Sequence, residues 1–397
     1  MDRTKVLQEL RKMRFEHIYQ QRTERRLTME DAAELLNISE RTFRRWCRKY
    51  EEEGEKGLED KRIGKKANNA APVDELLSML TLYETRFHDF AASHFYDIWQ
   101  EQYGGTRCYT WVKKSLQEAG LIKKVKKRGA HRKKRPRRPM IGMMLHQDGS
   151  THQWIEGIEW DLIITFDDAT NEIYSAFFVE EEGTLSSFRG AKEVIETHGL
   201  FCSIYTDRGS HYWFTPKAGG EVDKNQITQF QRAMNQLGIE MIPAYSPEAR
   251  GRCERAFKTI QGRLPKELKL ADICDMEPAN KYLKEIFIPS FNKRFTVKPQ
   301  EKESAFVPWL NHIYPDEILC IQEQRTVGKD NTVSYQNKKL QIPKDKIRYN
   351  YVKAKVRVHE YLNNSLAIFY GPRCLARYAS DGNLFITQQD TLKTLAG

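Results

Sequence analysis

Apolar positions recur at helical spacing through the first third of the chain and then give way to short runs of strand length. In residues 27–50, Thr28 is placed to cap a helix with Asp31 three residues on, and Ala32, Ala33, Leu35 and Leu36 form its apolar face. Asn37 and Ile38 make a short turn. Ser39 then caps a second helix that buries Phe43 and Trp46 and points Arg41, Arg44, Arg45, Arg48 and Lys49 outward. Two short helices with a basic second one outline a helix-turn-helix, whose second helix enters the major groove. A generic helical hairpin is the bland alternative, and the arginine density argues against it. Residues 54–72 lack an apolar period and read as a linker. Over 73–121 the helical period returns, with Phe95, Ile98 and Trp99 before Gly104-Gly105 and Trp111, Val112 and Leu116 before Gly120. This is a second candidate helix-turn-helix, with fewer arginines.

Beyond residue 139, runs at 143–148, 160–166, 173–179, 201–206 and 239–242 each read as a strand. Helical segments fall at 184–198, about 226–237 and about 247–270. Three strands in succession and then alternating helix and strand predict a mixed five-stranded α/β sheet. From about residue 318 the pattern is β again, and 353–359 alternates basic and apolar side chains without a miss. A small β-barrel is the economical closure, since it leaves no edges. The expected order is a helix-turn-helix domain (1–53), a linker (54–72), a second helix-turn-helix-like domain (73–121) and a basic linker (122–139). An α/β domain (140–288), a connector (289–317) and the barrel (318–397) follow.

The chain's 397 residues exceed what one core organises, consistent with several domains. No apolar stretch approaches the roughly 20 residues of a bilayer span, and the N-terminus lacks the apolar region of a signal peptide. Seven cysteines without a CxxC pair argue against a zinc site or disulfide framework and for a reducing, cytosolic setting. The net charge is +11, and residues 121–139 (LIKKVKKRGAHRKKRPRRP) hold eleven Lys or Arg and no acid. This segment reads as a solvated linker or, between two DNA-like features, as a strap that tracks a polyanion. Its candidate contacts are Lys123, Lys124, Lys126, Lys127, Arg128, Arg132, Lys133, Lys134, Arg135, Arg137 and Arg138.

Three acids stand out in the α/β portion. Asp148 ends the first predicted strand, Asp207 ends the fourth, and Glu254 lies early in the last helix. Chemistry in open α/β sheets collects at strand ends and nearby helix starts. If the first and fourth strands are neighbours, the two aspartates converge and the helix can bring Glu254 to them. Three carboxylates together need cations, and oxygen-only ligands suit Mg²⁺ or Mn²⁺. Two such ions about 3.5–4 Å apart activate a hydroxyl nucleophile and stabilise the leaving oxygen at phosphorus. Asp167 and Asp168 read as turn-forming residues, Glu248 is the main rival to Glu254, and His146, His152 and His211 have other uses for their ring nitrogens.

The ordered stretches GLEDKRIGK, HQDGSTHQW, ITFDDATNEIYSAFFVEEEGT, SIYTDRGSHY, SPEARGRCERAFKTIQGRLPKEL, FNKRFTVKP and IQEQRTVGKDNTVSYQNKKLQIP resemble the DDE transposases of bacterial insertion sequences, closest to the ISNCY-type group. The resemblance implies an RNase H-like, retroviral-integrase-like catalytic core at 140–288 with Asp148, Asp207 and Glu254 as catalytic and metal-holding residues. It further implies two Mg²⁺ ions, with Mn²⁺ able to substitute, cleavage at terminal inverted repeats, and joining to target DNA. The partners expected are double-stranded DNA and a second copy of the chain, in a bacterial, nucleoid-associated setting. Asp207 and Glu254 stand 47 residues apart, farther than in the best-known members, and 215–227 reads as an insertion absorbing the difference. Many relatives carry Lys or Arg where this chain has Gln261, so Lys258 or Arg255 would contact DNA instead. The rival readings are a DNA-binding regulator with an inactive core and an RNase H-like nuclease that cannot join strands.

Overall fold

In the computed structural model, which describes residues 3–60, 71–124, 135–216, 221–223, 226–245, 247–310, 314–344 and 347–385, Thr28 and Asp31 cap the first turn-flanking helix reciprocally. Asp31 N donates to Thr28 Oγ1 at 3.1 Å, and Thr28 N donates to the Asp31 carboxylate at 3.0 Å. The helices here are α1 (Arg3–Thr23), α2 (Met29–Leu35) and α3 (Glu40–Glu53), with Ser39 capping α3. Asn37 adopts φ 55° in the turn between α2 and α3, a left-handed conformation that asparagine tolerates. Phe15 of α1 packs against Phe43 at 5.6 Å and Trp46 at 5.8 Å, so a third helix closes the pair's apolar side. Trp46 is half-buried rather than buried. Together with α4 (Val73–Arg86), these helices belong to one compact unit, Met1–Arg86.

The second unit, Phe87–Gly397, begins with α5 (Ala92–Tyr103) and α6 (Tyr109–Glu118). The unit boundary therefore runs inside the stretch 73–121. Five strands follow: β1 (Leu145–Ile155), β2 (Ile158–Asp167), β3 (Ile173–Val179), β4 (Ser203–Thr206) and β5 (Glu240–Pro243). They form one mixed sheet in the order β3-β2-β1-β4-β5, with β1–β2–β3 antiparallel and β1–β4–β5 parallel. One face is covered by α7 (Thr184–His198) and α8 (Gln229–Leu237), which pack Phe188, Val194, Phe230 and Met234 near Leu145 and Ile204. The other carries α9 (Pro247–Gln261), α10 (Leu264–Leu270), α11 (Met276–Tyr282) and α12 (Ile288–Phe295), which pack Phe257, Ile260, Leu264 and Phe291 into one core with Trp154, Leu162, Ile164 and Phe166. Residues 162–166 (LIITF) are buried without alternation because β2 is covered on both faces. The pairs Arg263–Asp97 at 2.7 Å and His94–Glu267 at 2.8 Å fasten α5 to α10 and its approach.

The first strand is longer than the sequence pattern predicts. Residues 149–153 (GSTHQ) are polar and look like a turn, yet they pair with β2 as an antiparallel arm, and the hairpin turns only at Gly157, φ 80°. Asp148 is therefore inside β1 rather than at its end.

The C-terminal portion holds β6 (Ile321–Thr326), β7 (Thr332–Tyr335), β8 (Lys338–Gln341), β9 (Lys355–Glu360), β10 (Leu366–Tyr370) and β11 (Arg373–Tyr378). The expected closed barrel is not found among the described residues. Instead there is a four-stranded sheet, β11-β10-β9-β6, and a separate β7–β8 hairpin. Side chains join the two where a barrel would use a ladder: Val333, Tyr335 and Leu340 bury against Val356, Val358, Leu366 and Ile368, and Tyr335 Oη donates to Glu360 at 2.7 Å. The alternation of β9 also breaks, since His359 is buried next to Val358 and faces Glu317 at 3.3 Å.

Candidate active site

The parallel pairing of β1 with β4 matches Leu145 to Ile204 and His146 to Tyr205. Two residues further along both chains stand Asp148 and Asp207. Strand side chains alternate, so Asp148 takes the face of His146, whose ring meets that of Tyr205 at 5.1 Å, while Asp207 is the first residue past β4. This is the point where β4 ends and β1 continues with β2 alone. Both aspartates are half-buried. Asp207 Oδ1 accepts from Gly209 N at 2.8 Å, which fixes that carboxylate in the turn after β4.

Two contacts seat α9 along the same face. Cys253 Sγ lies 3.6 Å from His146 Nδ1, and Gln261 Nε2 donates to Ser150 Oγ at 2.9 Å. The helix runs parallel to β1: eight helical residues rise about 12 Å, and four strand residues span about 13 Å. Glu254 is seven residues before Gln261, two turns back on the same flank, and so comes level with the His146–Asp148 stretch. Its side chain is exposed. Among the described residues, no three His, Cys, Asp or Glu side chains are grouped closely enough to hold a metal ion. Asp148 and Asp207 thus each stand two residues beyond the paired His146 and Tyr205, Glu254 sits on the adjoining helix flank, and the three close no coordination shell among the described residues. The donors are all carboxylate oxygens, the chemistry that suits a hard divalent cation. The side chains of 247–250, including the rival Glu248, lie outside those described.

On the same side of the sheet a buried carboxylate gathers two arginines and a histidine. Asp168 is fully buried at the end of β2. His146 Nε2 approaches its Oδ1 at 2.7 Å, Arg138 N donates to Oδ2 at 2.8 Å, and the guanidinium groups of Arg135 and Arg252 both donate to Oδ1. Arg252 also donates to Arg135 O at 2.7 Å. Burial opposes the charged carboxylate, but the hydrogen bond from His146 and the neighbouring positive charge outweigh it and hold Asp168 below the usual range. Burial drives the His146 pKa down against the pull of Asp168. The ring bridges the two partners, with Nε2 on Asp168 and Nδ1 on Cys253 Sγ. Asp167 is a turn residue as expected, accepting from Gly142 N and Thr170 N at 2.9 Å each.

The arginines and lysines expected to meet DNA divide into groups. Arg41, Arg45 and Arg48 are exposed on α3, and Arg44 is exposed but paired with Glu40 at 3.0 Å. Lys123, Lys124, Arg138 and Lys258 are exposed. Arg137 is spent internally, donating to Asp168 O at 2.9 Å and Asn171 Oδ1 at 2.8 Å. Lys126, Lys127, Arg128, Arg132, Lys133 and Lys134 lie outside the described residues. One acid was missed by sequence reasoning. Glu182, just before α7, lies so close to Gly149 that a Cβ there would collide with its carboxylate. It also receives a long hydrogen bond from Tyr212 Oη at 3.4 Å and faces His211 at 3.3 Å. The EEEG run preceding α7 was its only signal.

Comparison with known proteins adds to this picture. Residues 19–67 match the family model described as a helix-turn-helix domain. The chain is 30% identical over 350 residues to the "Putative transposase y4bF" of Sinorhizobium fredii, covering 86% of this chain and 75% of that one. It is 26% identical over 347 residues to the transposase for insertion sequence IS1202 of Streptococcus pneumoniae, covering 78% of this chain and 74% of that one. A faint likeness extends to the HTLV-2 integrase catalytic core domain in complex with magnesium, at 15% identity and a TM-score of 0.28 over 37% of this chain and 89% of that one.

Proposed function

The chain belongs to the transposase family of these relatives, and from that premise we propose that it cuts and joins DNA at a site built from Asp148, Asp207 and Glu254. The observation that supports the reading is the β1–β4 register, which pairs His146 with Tyr205, each two residues before one of the aspartates. These three residues would hold two Mg²⁺ ions, for which Mn²⁺ can substitute. The chemistry such ions supply when bound is activation of a hydroxyl nucleophile and relief of charge on the leaving oxygen. Asp148 comes from a strand ladder, Asp207 from a turn fixed by its own hydrogen bond, and Glu254 from a helix pinned at two points. The three carboxylates are therefore carried on elements fixed by hydrogen bonds, with Glu254 contributed from the adjoining helix flank.

The exposed arginines of α3 read base edges in the terminal inverted repeats. Lys123, Lys124, Arg138 and Lys258 neutralise phosphates, which adds affinity without sequence choice. In-line attack by water nicks the element end. The freed 3′-hydroxyl then attacks target DNA, forming one phosphodiester bond as another breaks. Joining two ends to one target requires at least a dimer on DNA.

The test incubates labelled duplexes carrying the inverted repeats beside the gene with target plasmid and Mg²⁺ or Mn²⁺, comparing wild type with Glu254→Gln. End nicking and joined product from wild type alone is the expected result. Binding without breakage by either protein points to a DNA-binding regulator, and nicking without joined product to a nuclease; each overturns the proposal.

A further inference from the structure

Asp168 ties together three parts of the chain that reach it from 22, 33 and 84 residues away: His146 of β1, Arg135 of the basic segment and Arg252 of α9. Arg252 and Cys253 are the two residues immediately before Glu254. One bonds Asp168, the other bonds His146, and His146 bonds Asp168 in turn. The N-terminal half of α9 is therefore held over β1 by a polar latch, whereas its second half is held by apolar packing of Phe257 and Ile260 and by Gln261.

From this geometry we infer that Asp168 is a positioning residue: it seats the first turns of α9 so that Glu254 reaches Asp148 and Asp207, and it ties that seating to the basic segment through Arg135. This rests on the reading of Glu254 as a catalytic group. Asp168 itself touches neither substrate nor cation; it acts through Arg252 and His146. A buried carboxylate serving two arginines would be a poor choice for stability alone, because burying charge costs as much as pairing returns. Its value is in directional bonds that fix one helix register. Arg135 makes the latch responsive to DNA: its side chain is one-third exposed, near exposed Arg138 in sequence, so engagement of this segment by phosphate is felt by the same oxygen that holds Arg252.

The latch has a reporter that does not depend on catalysis. Cys253 is buried at 4% exposure beneath it, whereas Cys47 and Cys320 are buried elsewhere. Full-length wild type, Asp168→Asn, Arg252→Met and Glu254→Gln are pulsed with a maleimide, and labelling of each cysteine is followed by peptide mass spectrometry. Terminal-repeat affinity and nicking rate at saturating DNA are measured on the same preparations.

The expected result is Cys253 labelling roughly tenfold faster in Asp168→Asn, and less so in Arg252→Met, with Cys47 and Cys320 unchanged. Nicking falls by about 100-fold in Asp168→Asn, the scale of a 1 Å misplacement, while affinity stays within about threefold. Cys253 as slow as in wild type in both variants overturns the inference. Should Asp168→Asn expose all three buried cysteines, Arg252→Met decides: local exposure with slower nicking supports the latch, and uniform exposure or unchanged nicking overturns it. Wild-type nicking by Glu254→Gln would instead remove the catalytic reading of Glu254, while the cysteine data still report whether the latch seats α9.

Discussion

Gln261 donates to Ser150 Oγ at 2.9 Å, and this one bond between the last turn of α9 and the middle of β1 fixes the helix's far end, two turns beyond Glu254. The sequence resemblance leads one to expect a basic residue at this position, whereas the Gln261 amide is engaged by Ser150. Replacing Gln261 with Ala should cost about 1 kcal/mol of stability, the net worth of one hydrogen bond, and leave the salt dependence of DNA binding unchanged. Urea unfolding and a salt titration check both. A flatter salt slope would mean that Gln261 lies in the DNA interface.

The two arginines Arg137 and Arg138 are adjacent in sequence and opposite in role. Arg137 donates to Asp168 O and Asn171 Oδ1, whereas Arg138 is exposed. Arg137→Ala should destabilise the fold by about 2–3 kcal/mol, as expected for buried bonds to a charged donor. Arg138→Ala should leave stability intact and lower the salt slope of DNA binding by about 1, the share of a single neutralised phosphate. Chemical denaturation and binding at several salt concentrations separate the two, and an exchange of these effects would reverse the assignment.

On α3, Arg44 is engaged by Glu40 while Arg45 lies exposed on the neighbouring flank. Arg45→Ala should cost about 1–3 kcal/mol of preference for the terminal repeat if it reads a base edge, and Arg44→Ala should cost less. Competition between repeat and random duplexes at fixed salt measures this. An equal loss on both duplexes would place Arg45 on phosphate.

Near the C-terminal sheet, burial alone would raise the Glu317 pKa, but hydrogen bonds from His359, Arg377 and Tyr361 draw it down to about 2. A depressed folded pKa stabilises the native state above the ordinary value and loses that contribution as pH falls through the folded one. Glu317→Gln should therefore lower the thermal midpoint at pH 7, and its deficit should shrink between pH 4.5 and about 2. Unfolding curves across that range test it; a constant deficit would show that charge is not what Glu317 contributes.

The sequence pattern located the helix at 184–198 to the residue, because Gly183 and Gly199 bound it and its apolar face is regular. The helix-turn-helix was legible for a similar reason: its caps, Thr28 and Ser39, act within three residues of themselves. Features that depend on distant partners were not legible. Residues 149–153 look like a turn until β2 pairs with them, and the C-terminal strands do not announce which edges join. Asp168 reads as the second half of an Asp-Asp turn; its partners Arg135 and Arg252 lie 33 and 84 residues away. The aspartates of the candidate site were visible as acids beside apolar runs, but their neighbourhood rests on the parallel register that pairs His146 with Tyr205 just before them.

That register is tested most directly by nicking of a terminal-repeat duplex with Asp148→Asn and Asp207→Asn side by side, each with repeat affinity measured on the same preparation. If the two carboxylates form one site, each variant binds the repeat as wild type does and loses nicking by on the order of 100-fold or more, in Mg²⁺ and in Mn²⁺ alike. Wild-type nicking by either variant, with binding intact, would contradict the site.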